Sequence, residues 1–157
     1  MNIRAVTLSG LFAALYAVLT LVLAPVSYGP VQFRASEALK PVTLYSPWFA
    51  LAFGVGNFLA NLASPFGAWD FVAMPFVNVA AGLICYNLRR LPWLAVAVQA
   101  IVTAAGVAVF PLGMGAGVPF MVAFPMVLTS ELIMQLAGYA VLWRRYGPQL
   151  LPATVTP

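Results

Sequence analysis

Arg34, Ser36 and Glu37 crowd into one short stretch, Tyr28-Gly-Pro-Val-Gln-Phe-Arg-Ala-Ser-Glu-Ala-Leu39, of a chain in which only 6% of residues are charged. Charges within or beside apolar surroundings are costly, so they tend to be paired, inward-facing and functional. A local role is available: Ser36 caps a helix, Glu37 sits at the positive end of its dipole, and Arg34 pairs with it. A binding role is compatible with it, because a carboxylate held by an arginine is already oriented for a ligand.

The other polar groups that need an explanation are few. Asn57 and Asn61 are four apart and share one helix face, with Ser64 one turn further on. Asp70 opens an apolar span and Asn78 lies about two turns below it. Glu131 sits well inside another span, next to Ser130 and four residues before Gln135. Amides both donate and accept, whereas carboxylates only accept. Such a mixture suits a planar heterocycle with alternating donors and acceptors, held among aromatics such as Tyr28, Phe33, Phe66 or Trp69. Interhelical hydrogen bonding, worth about 1 kcal/mol, is the competing role for the asparagines. Capping is the competing role for Asp70, while a lone mid-span carboxylate at Glu131 requires a partner or a water-filled cavity.

Enzymatic chemistry finds little to work with. The chain has no His, and Cys85 is its only cysteine, so an intrachain disulfide and the usual zinc ligands are both missing. Cys85 reads as a small packed apolar residue. No nucleophile stands beside a base, and Lys40, the one lysine, belongs to no Gly-x-x-x-x-Gly-Lys phosphate loop. The sequence predicts no catalytic residue, cofactor or metal. A stand-alone intramembrane enzyme would need Asp70 and Glu131 to converge on a reacting bond. Without an ATP site or obvious duplicated halves, any energy for concentrating a solute must come from a gradient or a partner, and a partner is favoured.

The elements that position these residues follow from composition. The 157 residues are 64% hydrophobic, with a mean hydropathy of +1.00, far from a soluble domain with about a quarter of its residues charged. The chain is expected to be one all-α membrane domain over residues 1–157. Six spans of about 20 residues would leave only short loops. Apolar spans are expected at about 6–24, 71–88, 94–110 and 118–142. Prolines 41 and 47 interrupt the stretch between residues 25 and 64, which must cross twice or not at all if Arg4, Arg89-Arg90 and Arg144-Arg145 all lie inside, and twice because Trp48 to Leu62 is too apolar to stay outside. That gives about six helices with both termini cytoplasmic, and loops around 25–35, 64–70 and 111–118 outside. The last of these, Pro111 to Pro119, reads as a flexible connection. Trp48, Trp93 and Trp143 are expected at inner span ends and Trp69 at an outer one, as an aromatic belt. The net charge of +4 then reports topology rather than nucleic-acid binding. In the first span, Gly10/Ala14 and Ala13/Ala17 are small pairs at helix-packing spacing.

Taken in order, the small-residue first helix, the Tyr28–Leu39 stretch, Gly56-Asn57-Phe-Leu-Ala-Asn61-Leu and Ser64-Pro-Phe-Gly-Ala-Trp-Asp70 resemble the QueT family of queuosine-precursor transporters. These are substrate-binding S components of energy-coupling factor importers. The resemblance covers about residues 4–146 and implies six helices in a bacterial plasma membrane. It also implies an outward-opening pocket with a lid between helices one and two. The implied partners are a transmembrane coupling subunit and two cytoplasmic ATPase subunits, the former meeting an Ala-x-x-x-Ala face matched here by Ala13 and Ala17. The implied substrate is a 7-deazaguanine. On that basis Glu37 and then Glu131 are expected to accept from the ring N–H and exocyclic amine, with Asn57, Asn61 or Gln32 at the carbonyl edge. Asp70 is expected to meet an aminomethyl cation, Arg34 to orient Glu37, and Asn78 to line the same site. An S component for another vitamin and a ligand-free structural subunit remain open alternatives.

Overall fold

The computed structural model describes residues 3–29 and 32–151, and within them every regular element is helical. Pro30 and Val31, in the middle of the predicted lid, and the two termini lie outside the described residues. Helix α1 (Ile3–Val22) is followed by a single turn, α2 (Ala24–Ser27), and then by a ten-residue 3₁₀ helix, Ala35–Leu44. Helix α3 covers Trp48–Asn61. A π-helical turn, Trp69–Ala73, leads into α4 (Met74–Asn87), and α5 (Pro92–Val107) runs on as a π-helix, Ala108–Gly115. Helix α6 (Phe120–Gly138) continues through Tyr139–Trp143 into α7 (Arg144–Leu150).

Four of these segments, Ile3–Val22, Trp69–Asn87, Pro92–Gly115 and Phe120–Gln149, are long and apolar enough to cross a membrane, and α3 is a shorter apolar helix. The chain is a multi-pass membrane protein. The predicted glycine-rich loop is largely absent, because Pro111–Gly115 extends α5 and only about four residues connect it to α6. The widened turns have a cause in two places. Pro75 and Pro111 lack the N–H that an α-helix would direct to the carbonyl four residues back.

The 3₁₀ helix is the centre of the molecule. Helices α1, α3, α4, α5 and α6 pack in succession around it, and it touches each of them. Eight of its ten residues are buried. Pro41 explains much of this. In an α-helix its ring would clash with the Glu37 carbonyl, and in a 3₁₀ turn its missing N–H leaves the Ala38 carbonyl free. Trp143 takes that carbonyl with its indole N–H at 2.9 Å. Trp143 is therefore a buried core residue at 5% exposure, not the membrane-edge anchor expected of it. Trp48, Trp69 and Trp93 are each more than 40% exposed, as residues at membrane edges would be.

Close helix approach depends on missing side chains. A Cβ on Gly56 would sit 2.7 Å from the Ala13 carbonyl oxygen of α1, and one on Gly138 would lie 2.7 Å from Ala38 Cα. Gly138→Ala should therefore lower the thermal unfolding midpoint in detergent, with overpacking costing about 1–3 kcal/mol. Gly10→Ala, whose added methyl would meet nothing within 4 Å, should be neutral or stabilising, since alanine is the better helix former by up to about 1 kcal/mol. Equal midpoints for the two variants would contradict the packing.

Candidate functional site

The 3₁₀ geometry decides which side chains meet. Residues three apart eclipse one another in such a helix, so Glu37, Lys40 and Thr43 stack in one column, with Arg34 at its extended N-terminal boundary. Lys40 is in contact with the Glu37 carboxylate. Tyr16 of α1 donates its hydroxyl to Glu37 Oε1 at 2.6 Å, and Gln135 of α6 reaches Glu37 Oε2 at 3.4 Å. Below them Thr43 donates to Gln99 of α5 at 3.4 Å.

From Tyr16 the hydrogen bonds continue into α3. Asn57 donates to the Tyr16 hydroxyl at 3.4 Å, and Asn61 donates to Asn57 Oδ1 at 3.0 Å. Asn61 also reaches Asp70 Oδ1 at 2.7 Å. The other Asp70 oxygen accepts from Ser64 at 2.5 Å and from Arg34 at 3.4 Å. Arg34 in turn holds Gln32 Oε1 at 3.4 Å and the Ser27 carbonyl at 3.3 Å. Gln32 has φ of 49°, a strained left-handed backbone for a residue other than glycine.

Six of the eight ligand-binding residues expected from sequence, Gln32, Arg34, Glu37, Asn57, Asn61 and Asp70, thus lie on one buried chain of hydrogen bonds. Glu131 joins it through Gln135, whose Nε2 donates to Glu131 Oε2 at 2.8 Å. Asn78 is also buried, but it donates to the Met74 carbonyl of its own helix. Sequence reasoning missed Tyr16, Lys40 and Gln135 as members. The signal for Lys40 was present as a polar residue every third position from Arg34 to Thr43.

Three expectations are corrected. Arg34 pairs with Asp70, not Glu37, because it precedes the helix and extends toward the π-turn, while Lys40 is the eclipsed neighbour of Glu37. Ser36 makes no helix cap; its hydroxyl shares a 2.7 Å hydrogen bond with Thr20 of α1. Ala13 and Ala17 do not face outward. They are 6% and 7% exposed, with Ala13 against Gly56, and the outward small pair on α1 is Gly10 and Ala14.

An apolar cleft of about 330 Å³ adjoins this chain, lined by Tyr28, Phe66, Leu112, Val118, Ala123 and Met126 among others. Its size suits a small planar ligand. Tyr28 separates it from the polar chain: the Arg34 guanidinium lies 5.2 Å from the Tyr28 ring centre, and the Tyr28 hydroxyl is fixed to the Ala60 carbonyl at 2.6 Å. Phe33 is part-exposed, and Trp69 stacks on Phe110 instead of lining the cleft. Several buried side-chain atoms in or near the polar chain have no partner: Gln32 Nε2, Asn61 Oδ1, Asn78 Oδ1 and Gln135 Oε1. Buried polar atoms are rarely left so. Among the described residues no group of three or more Cys, Asp or Glu is arranged to hold a metal ion.

The family model described as QueT transporter matches residues 6–144. A protein of Lactococcus lactis subsp. cremoris (strain MG1363), named queuosine precursor transporter QueT, is 39% identical over 54 residues. That match covers 33% of this chain and about a third, 32%, of the relative. No solved structure matches.

Proposed function

The chain belongs to the QueT transporter family, and from that membership we propose that it captures a queuosine precursor of the 7-deazaguanine class as the substrate-binding subunit of an energy-coupling factor importer. The observation that carries the substrate class is the set of unpartnered buried atoms. Among the side-chain amides in that set, three unpartnered atoms are acceptors, on Asn61, Asn78 and Gln135, and one is a donor, on Gln32. A guanine-like edge presents ring N–H and amine donors beside one carbonyl, and replacing a ring nitrogen by carbon removes an acceptor. Glu37 and Glu131 add carboxylate acceptors to the same region. Gln32, held by Arg34, is the group suited to the ligand carbonyl, with Asn57 and Asn61 behind it. Asp70 and Arg34 fix the frame.

In this reading the cleft at Tyr28 and Phe66 faces outside, and the segment around Gln32 closes over it. The 3₁₀ helix and α3 complete six crossings in the bacterial plasma membrane, both termini being inside. At about 20 Å and 21 Å they are short for a core of about 30 Å, but both are packed within the bundle and not exposed to lipid on all sides. A transmembrane coupling subunit and two cytoplasmic ATPase subunits would supply the energy. The protein itself is a transporter component, not an enzyme.

Thermal unfolding of the purified protein in detergent tests the substrate class. A ligand at about 100 times its dissociation constant should stabilise the fold by roughly 2.7 kcal/mol. Deazaguanines are expected to raise the midpoint, and unrelated vitamins are not. Stabilisation by a vitamin alone would replace the substrate, and no shift with any of them would favour a structural subunit.

A further inference from the structure

Arginines gather at one end of the bundle without acidic company. The chain's three acidic side chains, Glu37, Asp70 and Glu131, are all buried. Among the described residues the ion pairs are Arg34 with Asp70 and Lys40 with Glu37. Arg89, Arg90, Arg144 and Arg145 are exposed and take part in neither. The two pairs are far apart in sequence, and the fold brings them to the same end. Trp93, in the first turn of α5, packs edge-on against Tyr139, with ring centres 4.7 Å apart. Arg89 and Arg90 lie just before Trp93, and Arg144 and Arg145 lie about one helical turn after Tyr139.

Helix length places this end at the headgroups. Phe120–Gln149 is one run of 30 residues, about 45 Å long, against a hydrocarbon core of about 30 Å. Its apolar part ends at Trp143, so the excess falls on the arginine side. The surface beside the arginines is apolar, with Leu91, Leu94 and Val141 each at least half exposed. Aromatic rings lie between the two kinds of surface. The Arg145 guanidinium is 5.6 Å from the Tyr146 ring centre, and that of Arg89 is 4.1 Å from the Tyr86 ring centre. Arg89 also gives one N–H to the Tyr86 carbonyl at 3.0 Å, which fixes the guanidinium and spends one of its five donors. Apolar, aromatic and cationic surface thus follow one another in the order of acyl chain, glycerol and phosphate. An acidic protein surface would meet the arginines but not the leucines. A zwitterionic lipid would bring a second cation, which the arginines repel.

We propose that Arg89, Arg90, Arg144 and Arg145, with Trp93 between them, form a binding site for an anionic phospholipid. The guanidiniums take the phosphate, which their planar forks can meet bidentately, and the exposed Leu94 and Val141 lie along the acyl chains. The lipid ties the connection between α4 and α5 to the continuous helix of α6 and α7. None of these arginines belongs to the buried chain of hydrogen bonds, so the site is independent of the substrate and of its class.

The test is native mass spectrometry of the purified full chain, released from detergent micelles doped with phosphatidylglycerol and phosphatidylcholine of identical acyl chains. A basic residue beside an anionic lipid surface is worth about fivefold in binding, so two guanidiniums on one phosphate predict a preference of roughly 20-fold for phosphatidylglycerol. Arg89→Gln with Arg90→Gln should lower that preference at least about fivefold, and so should Arg144→Gln with Arg145→Gln, because the site needs both pairs. Replacing the same residues by lysine, which keeps the charge, should preserve most of it. Equal retention of the two lipids by the parent chain, or an unchanged preference in both double variants, would overturn the site. Glycerophosphoglycerol, the headgroup without acyl chains, should be retained far more weakly than the whole lipid; equal retention would overturn the lipid in favour of a free phosphate ester. Displacement of phosphatidylglycerol by an equal concentration of oligoglutamate would overturn it in favour of an acidic protein. If a double variant does not fold, Arg90→Gln and Arg145→Gln singly carry the same comparison, each with about a fivefold loss expected.

Discussion

Glu37→Gln is expected to abolish high-affinity ligand binding and also to cost the fold roughly 3–5 kcal/mol, the usual price of stranding one member of a buried ion pair. The sequence alone predicts the first effect without the second, since nothing in it ties Glu37 to Lys40. In the structure Glu37 accepts from Tyr16 and Gln135 and touches Lys40, so the variant leaves an ammonium buried at 1% exposure. The two effects can be separated. In the double variant Glu37→Gln with Lys40→Met both charges are gone, and most of the lost stability should return. Binding should not return, because the carboxylate proposed to meet the ligand is still missing. Melting curves and titrations on the single and double variants measure this. An unchanged affinity in the single variant would remove Glu37 from the site. A double variant no more stable than the single one would show that the Lys40 pair is not what the substitution breaks.

The residues that carry the site were legible because an almost uncharged chain makes each buried polar group conspicuous. Glu37, Asp70, Asn57, Asn61 and Glu131 could be picked out on that ground alone, and the structure joins them. What was hidden was the path between them. It depends on the 3₁₀ helix, and the reading assumed helices of 3.6 residues per turn, on which Arg34, Glu37, Lys40 and Thr43 do not align. Pro41 was taken to break a span, whereas it favours a tighter helix and frees the carbonyl that Trp143 uses. Nothing in the apolar pattern of α1 singles out Tyr16, and only the approach of α1 to the 3₁₀ helix gives its hydroxyl a partner in Glu37. The same limit applies to the small residues of α1. Gly10/Ala14 and Ala13/Ala17 have the same spacing, and no pattern within one helix says which pair turns inward.

Asp70→Asn is expected to be comparably damaging, at roughly 3–5 kcal/mol, for a reason at the opposite end of the hydrogen-bonded chain. Asp70 receives Asn61 at one oxygen and Ser64 and Arg34 at the other. All three are donors here, so an amide nitrogen in place of either oxygen faces at least one of them donor to donor. Arg34, 3% exposed, loses its only ion-pair partner among the described residues. The residue also fastens three separate pieces: the end of α3 through Asn61, the turn through Ser64, and the segment before the 3₁₀ helix through Arg34. Arg34→Met should be damaging alone, and combining it with Asp70→Asn should cost less than the sum of the two, since either one already breaks the pair. Additive losses in melting midpoint would mean that the two residues act independently. Binding adds a distinct readout. Arg34 holds Gln32 by its amide oxygen, which directs the unpartnered Gln32 Nε2 away from Arg34 and leaves it available to a ligand. Arg34→Met should therefore weaken binding beyond what its loss of stability explains, and Gln32→Leu should weaken binding with little change in melting. If Gln32→Leu binds as the parent chain does, the strained residue at the start of the site serves only to turn the backbone.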